Sequence, residues 1–306
     1  ALVSGQTNGT SNGVSAASSY RLYASNNEQV ELTGIVTNPN STNSIATTLV
    51  LYEKPNICFS DNFNRTNLGA SWTTATRNVT FTPLISDNRL RLTSNNTGLA
   101  AAATLQKLIP AAGNKAVITF RYYGYPNFNT SGADGVGIVL SDASKTPFPG
   151  LPGGALGYAA GTSGSDGFAG GWLGIGLDEY GNFATNIAGP CFSNDKCDRA
   201  YESVSVRGSA PNYYWLRGTG SLVSPVWSLW GWYWSGTGVS NDAGHRYRLT
   251  IDTSAAGKAY LTVERDTSGG TNYTTLLSAF DVMAYSEQAN LPTNFMLSLT
   301  GSTGAS

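Results

Sequence analysis

The sequence is poor in charged residues, in methionine and in histidine. Charged side chains make up only 12% of its 306 residues, the formal net charge is -1, and there are 2 Met and 1 His. A chain so close to neutral lacks the basic surface that nucleic acids and anionic membranes attract. No apolar run approaches the roughly 20 residues needed to cross a bilayer. We therefore expect neither nucleic acid binding nor membrane insertion.

The composition indicates a secreted or cell-surface β-protein. Gly, Ser, Thr and Asn dominate, and there are 16 Tyr and 7 Trp. Hardly any segment has the Leu, Glu, Lys and Ala texture of an amphipathic helix. The predicted fold class is therefore all-β, in an extracellular setting.

Three cysteines are compatible with an oxidising compartment. Cys191 and Cys197 are six residues apart in the segment GPCFSNDKC, close enough to close a loop with a disulfide, which leaves Cys58 over. A metal site on the same two cysteines is the alternative, but no further Cys or His lies nearby. We predict the disulfide.

Short segments that alternate between apolar and polar residues recur along the chain and predict strands. They are RLRLT (89 to 93), AVITFRYY (116 to 123), GVGIVL (135 to 140), WLGIGLD (172 to 178), ESVSVR (202 to 207), RYRLTID (246 to 252), AYLTVER (259 to 265) and FMLSLT (295 to 300). So many strands predict a sandwich of two antiparallel sheets, with RYRLTID and AYLTVER forming a hairpin.

The first part of the chain differs from the rest. Residues 1 to 55 are rich in Ser, Asn and Thr and have weaker strand patterns. We interpret them as a short N-terminal β-rich extension or the end of a preceding module, with a boundary near Pro55. Residues 56 to 306 would then form the sandwich domain.

One predicted strand ends in an unusual group of side chains. Residues 170 to 183 read GGWLGIGLDEYGNF, and alternation places Trp172, Gly174, Gly176 and Asp178 on the same face. On this apolar, glycine-bearing face the strand therefore ends with an acid, Asp178.

The turn after this strand can gather oxygen ligands. The Asp178 carboxylate, the Asn182 amide oxygen and the Tyr180 carbonyl could converge, and Ca²⁺ prefers such ligands. An Asp/Asn/Gly turn that merely closes a hairpin is the other interpretation, because these residues favour turns anyway.

Four motifs, in order, resemble those of L-type lectin domains, the legume-lectin-like or concanavalin A-like family. They are GADGVGIVLSD (132 to 142), PGGALGY (152 to 158), GLDEYGN (176 to 182) and LPTNFMLSLTGSTG (291 to 304). The resemblance covers about residues 58 to 306 and implies a concanavalin A-like jelly-roll sandwich. Within this group, NICFSDNFNR (56 to 65), LDEYGNF (177 to 183) and SVSVRGS (203 to 209) are most similar to bacterial MSHA pilus-associated surface proteins of the MshQ type.

The resemblance implies a sugar site with a bound calcium ion. Asp134 would accept hydrogen bonds from two adjacent sugar hydroxyls, the Gly154 N–H would donate to one of them, and Asn182 would serve both calcium and sugar. Asp178 and Tyr180 would be further calcium ligands. A carboxylate, an amide and a backbone N–H together match the fixed fork of a sugar diol, and calcium would order them before the sugar binds.

Two departures from the family pattern concern the metal. Gly176 stands where legume lectins carry a glutamate ligand of a transition metal, so we expect no second metal site. The remaining calcium aspartate is not at the legume spacing, and Asp195 and Asp198 are the available candidates.

The predicted function is calcium-dependent carbohydrate binding by an adhesin or pilus-associated lectin-like domain, with a glycan or polysaccharide as partner. A structural sandwich module with an inactive site is the alternative. A glycoside hydrolase on the same scaffold is less favoured, because retaining enzymes place two carboxylates roughly 5 to 5.5 Å apart. Asp178 and Glu179 are adjacent and should point to opposite faces of the strand. We expect no enzyme activity, and a structural role for His245.

A dense aromatic segment spans residues 212 to 236. It holds Tyr213, Tyr214, Trp215, Trp227, Trp230, Trp232, Tyr233 and Trp234. These rings could fill the core, or some could form the apolar wall against which a sugar packs its C–H face.

The cysteine left over bears on the end of the chain. L-type sandwiches typically finish with one more strand after the segment that resembles LPTNFMLSLTGSTG. We therefore expect the natural chain to continue beyond Ser306 with a final strand and a cysteine that pairs with Cys58. A free buried thiol or an intermolecular bridge are the alternatives.

Overall fold

The structure is a computed structural model. It describes residues 58–77, 81–123, 133–163, 166–192, 197–222, 244–268 and 270–304, and the backbone of four two-residue strands outside these ranges. The chain divides into two units, residues 1–61 and 62–306. In the first unit, β1 (Val30–Glu31) pairs antiparallel with β2 (Tyr52–Glu53). The separation of residues 1 to 55 as an extension or module stays a prediction.

The second unit is built from strands with short connections. Its strands are β3 (Trp72–Thr76), β4 (Leu84–Ser86), β5 (Arg89–Arg91), β6 (Ala100–Leu105), β7 (Ile109–Pro110), β8 (Lys115–Tyr122), β9 (Gly135–Asp142), β10 (Gly171–Asp178), β11 (Ser203–Arg207), β12 (Trp215–Gly218), β13 (Trp234–Ser235), β14 (Gly238–Val239), β15 (His245–Asp252), β16 (Tyr260–Asp266), β17 (Thr274–Asp281) and β18 (Asn294–Ser302). Single 3-10 turns occur at Gly153–Ala155, Gly161–Ser163, Asn182–Ala184 and Val282–Ala284. None of the described helices is long and apolar enough to span a bilayer.

The strands form two main antiparallel sheets. The larger has the order β12-β11-β10-β9-β18-β6-β3, with β7 also paired to β18, and the smaller has the order β17-β16-β15-β8. A small cavity is lined by Leu140 and Phe295 of the larger sheet and by Ala116 and Ile251 of the smaller, so these faces pack against each other. The prediction of an all-β sandwich of two antiparallel sheets is confirmed, and so is the hairpin, formed by β15 and β16.

The other face of the larger sheet is also covered. All eight residues of β10 are buried, and the covering layer is an apolar cluster of loop residues that includes Tyr158 and Phe183. A Cβ atom added to Gly174 would lie 2.3 Å from the Tyr158 ring, and one added to Gly176 would lie 2.5 Å from the Phe183 ring. The glycines of β10 therefore leave room for the Tyr158 and Phe183 rings, which pack the covering loops against the sheet.

The expectation that Trp172 shares this face is wrong. The pairing of β10 with β9 shifts register between Gly171 and Leu173, which makes Trp172 part of a bulge and breaks the alternation. The Trp172 ring instead packs 4.8 Å from that of Phe295, and its indole N–H donates to the Ala289 carbonyl at 3.0 Å.

We predict that Gly174→Ala destabilises the protein by about 1 to 3 kcal/mol, because the new methyl group would overpack the interface with Tyr158. Urea unfolding measures this. Gly270→Ala is the matched control, since its Cβ would be no closer than 3.5 Å to any neighbour. Equal midpoints for the two variants would contradict the tight packing of the loop layer.

Candidate functional site

The predicted site residues lie at one end of the larger sheet. Gly135, the first residue of β9, is paired with Asp178 at the end of β10 and with Ser302 at the end of β18. Only glycine suits this position, because φ is +141° and an added Cβ would lie 2.1 Å from a backbone oxygen. The preceding residue, Asp134, donates its N–H to the Ser302 carbonyl at 3.1 Å and accepts at its own carbonyl from the Glu179 N–H at 2.9 Å. Three strand ends thus fix Asp134.

The Asp134 side chain is nearly buried and incompletely paired. It is 3% exposed, and its Oδ2 atom makes no hydrogen bond to the described residues. Two glycines flank this atom, since an added Cβ would lie 2.7 Å from it on Gly304 and 4.0 Å from it on Gly153. Burial raises the pKa of Asp134 to about 6, and the Gly304 N–H and the positive charge of Arg199 oppose that rise.

Gly154 and Asn182 meet beside this carboxylate. An added Cβ on Gly154 would lie 2.3 Å from the Asn182 Cβ, so only glycine lets the backbone approach the Asn182 side chain this closely. Gly154 follows Gly153, which flanks Asp134. Neither the Gly154 N–H nor the Asn182 side-chain amide makes a hydrogen bond to the described residues. The structure therefore brings together the three groups predicted to contact sugar, which are the side chains of Asp134 and Asn182 and the N–H of Gly154.

The two adjacent acids at the end of β10 face in opposite directions. Asp178 is fully buried, and its Oδ1 and Oδ2 atoms accept from the Gly181 and Phe183 N–H groups, each at 2.7 Å. Glu179 accepts from the Tyr122 hydroxyl of the smaller sheet. Burial raises the pKa of Asp178 to about 8 and that of Glu179 to about 7, and the hydrogen bonds that each carboxyl accepts oppose the rise.

The buried side chain of Arg207 holds the loop that carries Asn182, whose amide belongs to the site. Arg207 is fully buried, and its Nε donates to the Phe183 carbonyl at 2.8 Å. Nη1 donates to the carbonyls of Tyr213 at 2.8 Å and Pro190 at 3.3 Å, and Nη2 donates to that of Thr185. Burial lowers the pKa of Arg207 to about 9, so it stays charged at neutral pH. Sequence analysis missed this residue.

The cysteines are placed as follows. Cys191 and Cys197 form the predicted disulfide. The adjoining Phe192 ring stacks on Tyr214 at 4.7 Å. Cys58 is an exposed free thiol, and its pairing with a residue beyond Ser306 stays a prediction.

The aromatic segment contributes to the core where the structure describes it. Tyr213 is buried, and its hydroxyl donates to the Phe168 carbonyl at 2.8 Å. The rings of Trp227, Trp230, Trp232, Tyr233 and Trp234 lie outside the described residues. His245 is buried at the start of β15, opposite Tyr122 of β8.

Exposed rings at the site come instead from Tyr180 and Tyr201. Their centroids are 5.8 Å apart, with the rings edge to face. The guanidinium of Arg199 lies over both, 3.9 Å from the Tyr180 centroid and 5.0 Å from that of Tyr201. Sequence analysis did not single out Arg199 or Tyr201, because nothing in the local pattern links either residue to the strand end.

The described residues supply only part of the ligand set of the predicted calcium ion. Ca²⁺ takes 6 to 8 oxygen ligands. Both carboxylate oxygens of Asp178 already accept backbone N–H groups, and the Tyr180 carbonyl accepts from Arg199 Nε at 3.2 Å. Asp198 is exposed, Asp195 lies outside the described residues, and no group of three or more His, Cys, Asp or Glu that could hold a metal occurs within them.

Comparison with known proteins gives structural similarity only. No protein-family model matches the sequence, and no curated protein matches it. The chain is similar to the Ca²⁺-bound exoplasmic/lumenal domain of VIP36, with 15% identity, 80% of this chain and 82% of that chain covered, and a TM-score of 0.46. It is also similar to a Bauhinia forficata lectin in complex with GalNAc (15% identity, 78% and 89% covered, TM-score 0.49) and to a Lotus tetragonolobus seed lectin (12%, 79% and 89%, TM-score 0.48). Likeness at this level assigns no ligand or residue role to this chain.

We predict that the stability cost of the Asp134 charge depends on pH. Its pKa rises from an ordinary value near 4 to about 6 on folding, so the folded state disfavours the ionised form. As pH rises from about 4 to 7, the wild type should then lose up to about 3 kcal/mol more unfolding free energy than Asp134→Asn, because the other buried acids are present in both proteins.

Chemical denaturation across this pH range measures the difference between the two curves. Asp142→Asn, at the opposite end of β9, is the control and should leave the pH dependence of the wild type unchanged. Parallel curves for the wild type and Asp134→Asn would contradict the assignment.

Proposed function

We propose that the protein binds carbohydrate at the strand end formed by Asp134, Gly154 and Asn182. The observation that carries the proposal is the Asp134 Oδ2 atom, a buried acceptor without a partner among the described residues. An unsatisfied buried acceptor costs about 1 to 3 kcal/mol, and more when charged. Hydroxyl donors of a bound sugar would offset that cost.

The surrounding groups complement a sugar diol. Asp134 accepts, the Gly154 N–H donates, and the Asn182 amide can do both. Gly304 adds backbone close to the carboxylate. The exposed Tyr180 ring offers an apolar surface for the C–H face of a pyranose.

We place this activity in a secreted or bacterial cell-surface protein, as an adhesin or pilus-associated lectin-like domain. The disulfide and the composition support an oxidising, extracellular compartment. The partner is a glycan or polysaccharide, and other surface or pilus subunits are further partners in that setting. A structural sandwich module is the alternative, and the 3% exposure of Asp134 favours it. A binding experiment distinguishes the two functions.

We predict that Asp134→Ala abolishes glycan binding, because it removes the acceptor for two hydroxyls. The expected cost is about 1.5 to 3 kcal/mol per charge-assisted hydrogen bond, or roughly a tenfold to hundredfold loss of affinity for each. A glycan array identifies the ligand, and isothermal titration measures the change. Asp142→Asn is the control and should bind glycan as the wild type does. An unchanged affinity for Asp134→Ala would refute the site. No glycan binding by the wild type would favour the structural module.

We also predict that the protein does not hydrolyse the glycans it binds. Glu179 faces Tyr122 between the sheets while Asp178 faces the turn, so these two carboxyls do not flank one sugar ring. Incubation with a glycan panel should give no new reducing ends. Turnover that is lost in Glu179→Gln would support a glycoside hydrolase instead.

A further inference from the structure

We propose that the guanidinium of Arg199 supplies the positive charge of the sugar site in place of a calcium ion, so that glycan binding needs no metal. This rests on the proposed function, and it departs from the calcium dependence that the family resemblance implies.

Arg199 contacts one of the groups that were expected to bind the ion. Its Nε donates to the Tyr180 carbonyl at 3.2 Å, the backbone oxygen that was predicted to bind calcium. The guanidinium lies over the rings of Tyr180 and Tyr201, which restricts its position. Its charge also acts on Asp134, whose pKa it lowers. The arginine therefore contacts the predicted ligand and acts on the predicted sugar acceptor.

Protein groups order the backbone of the turn. Asp178 closes it by accepting from the Gly181 and Phe183 N–H groups, each at 2.7 Å. Arg207 donates to the carbonyls of Phe183 and Thr185. These bonds supply backbone ordering that the resemblance assigned to calcium.

Arg199 also keeps donors for a ligand. Its Nη groups make no hydrogen bond to the described residues, and the side chain is exposed. A planar guanidinium donates readily to oxygen acceptors. The arginine can therefore supply the positive charge and also contact sugar oxygens directly.

The test compares glycan binding in excess EDTA with binding in millimolar CaCl₂. The wild type should bind equally well in both. Arg199→Ala should bind at least about tenfold more weakly in EDTA, the loss expected for one charge-assisted hydrogen bond, and Arg199→Lys should be intermediate because it keeps the charge without the planar fork. Arg217→Ala is the matched control, since this exposed arginine lies over the Phe280 ring at 5.3 Å and lacks any contact with the site.

Wild-type binding that disappears in EDTA and returns with calcium would overturn the proposal, as would unchanged affinity in Arg199→Ala. If the wild type binds no glycan, the proposed function fails and thermal melting decides the role of the arginine. The proposal then expects no effect of calcium on the wild-type melting temperature and a lower melting temperature for Arg199→Ala than for Arg217→Ala. A calcium-induced rise in the wild type, or equal melting of the two variants, would refute it.

Discussion

The candidate site depends on one buried cation, Arg207. A charged group in a protein interior is costly unless hydrogen bonds replace its lost hydration. Here the carbonyls of Phe183, Thr185, Pro190 and Tyr213 do so, and they belong to the segment 183–190 and to the loop before β12. One side chain therefore joins the turn of the site, the disulfide loop and the aromatic layer to the sheet.

Three carboxyls at the start of β9 and the end of β10 are satisfied to different extents. Asp178 has two backbone donors and Glu179 has a tyrosine hydroxyl, whereas one oxygen of Asp134 has no donor among the described residues. Native proteins pair nearly all buried polar atoms. Of these three acids, Asp134 is therefore the one with an acceptor left for a ligand, and the proposed sugar site rests on that difference.

Local patterns in the sequence predicted eight of the strands, missed others such as β3, β6, β12 and β17, and said little about the layers. Alternation identified β11, but it did not reveal that the polar face of Ser203, Ser205 and Arg207 is buried, because alternation distinguishes two faces without saying what covers either. The bulge at Trp172 likewise depends on pairing with β9. The approach of Gly304 to Asp134 joins residues distant in sequence, so no local motif could reveal it.

The close contact of Gly154 with Asn182 separates two kinds of position at the site. The floor of the site is largely main chain, where any added carbon would collide with a neighbour. This part therefore cannot be remodelled by exchanging side chains. Tyr180 and Tyr201 stand on the rim, exposed and unconstrained by such packing. New ligand preferences can therefore arise by changes at the rim while the floor, and the stability it depends on, remain as they are.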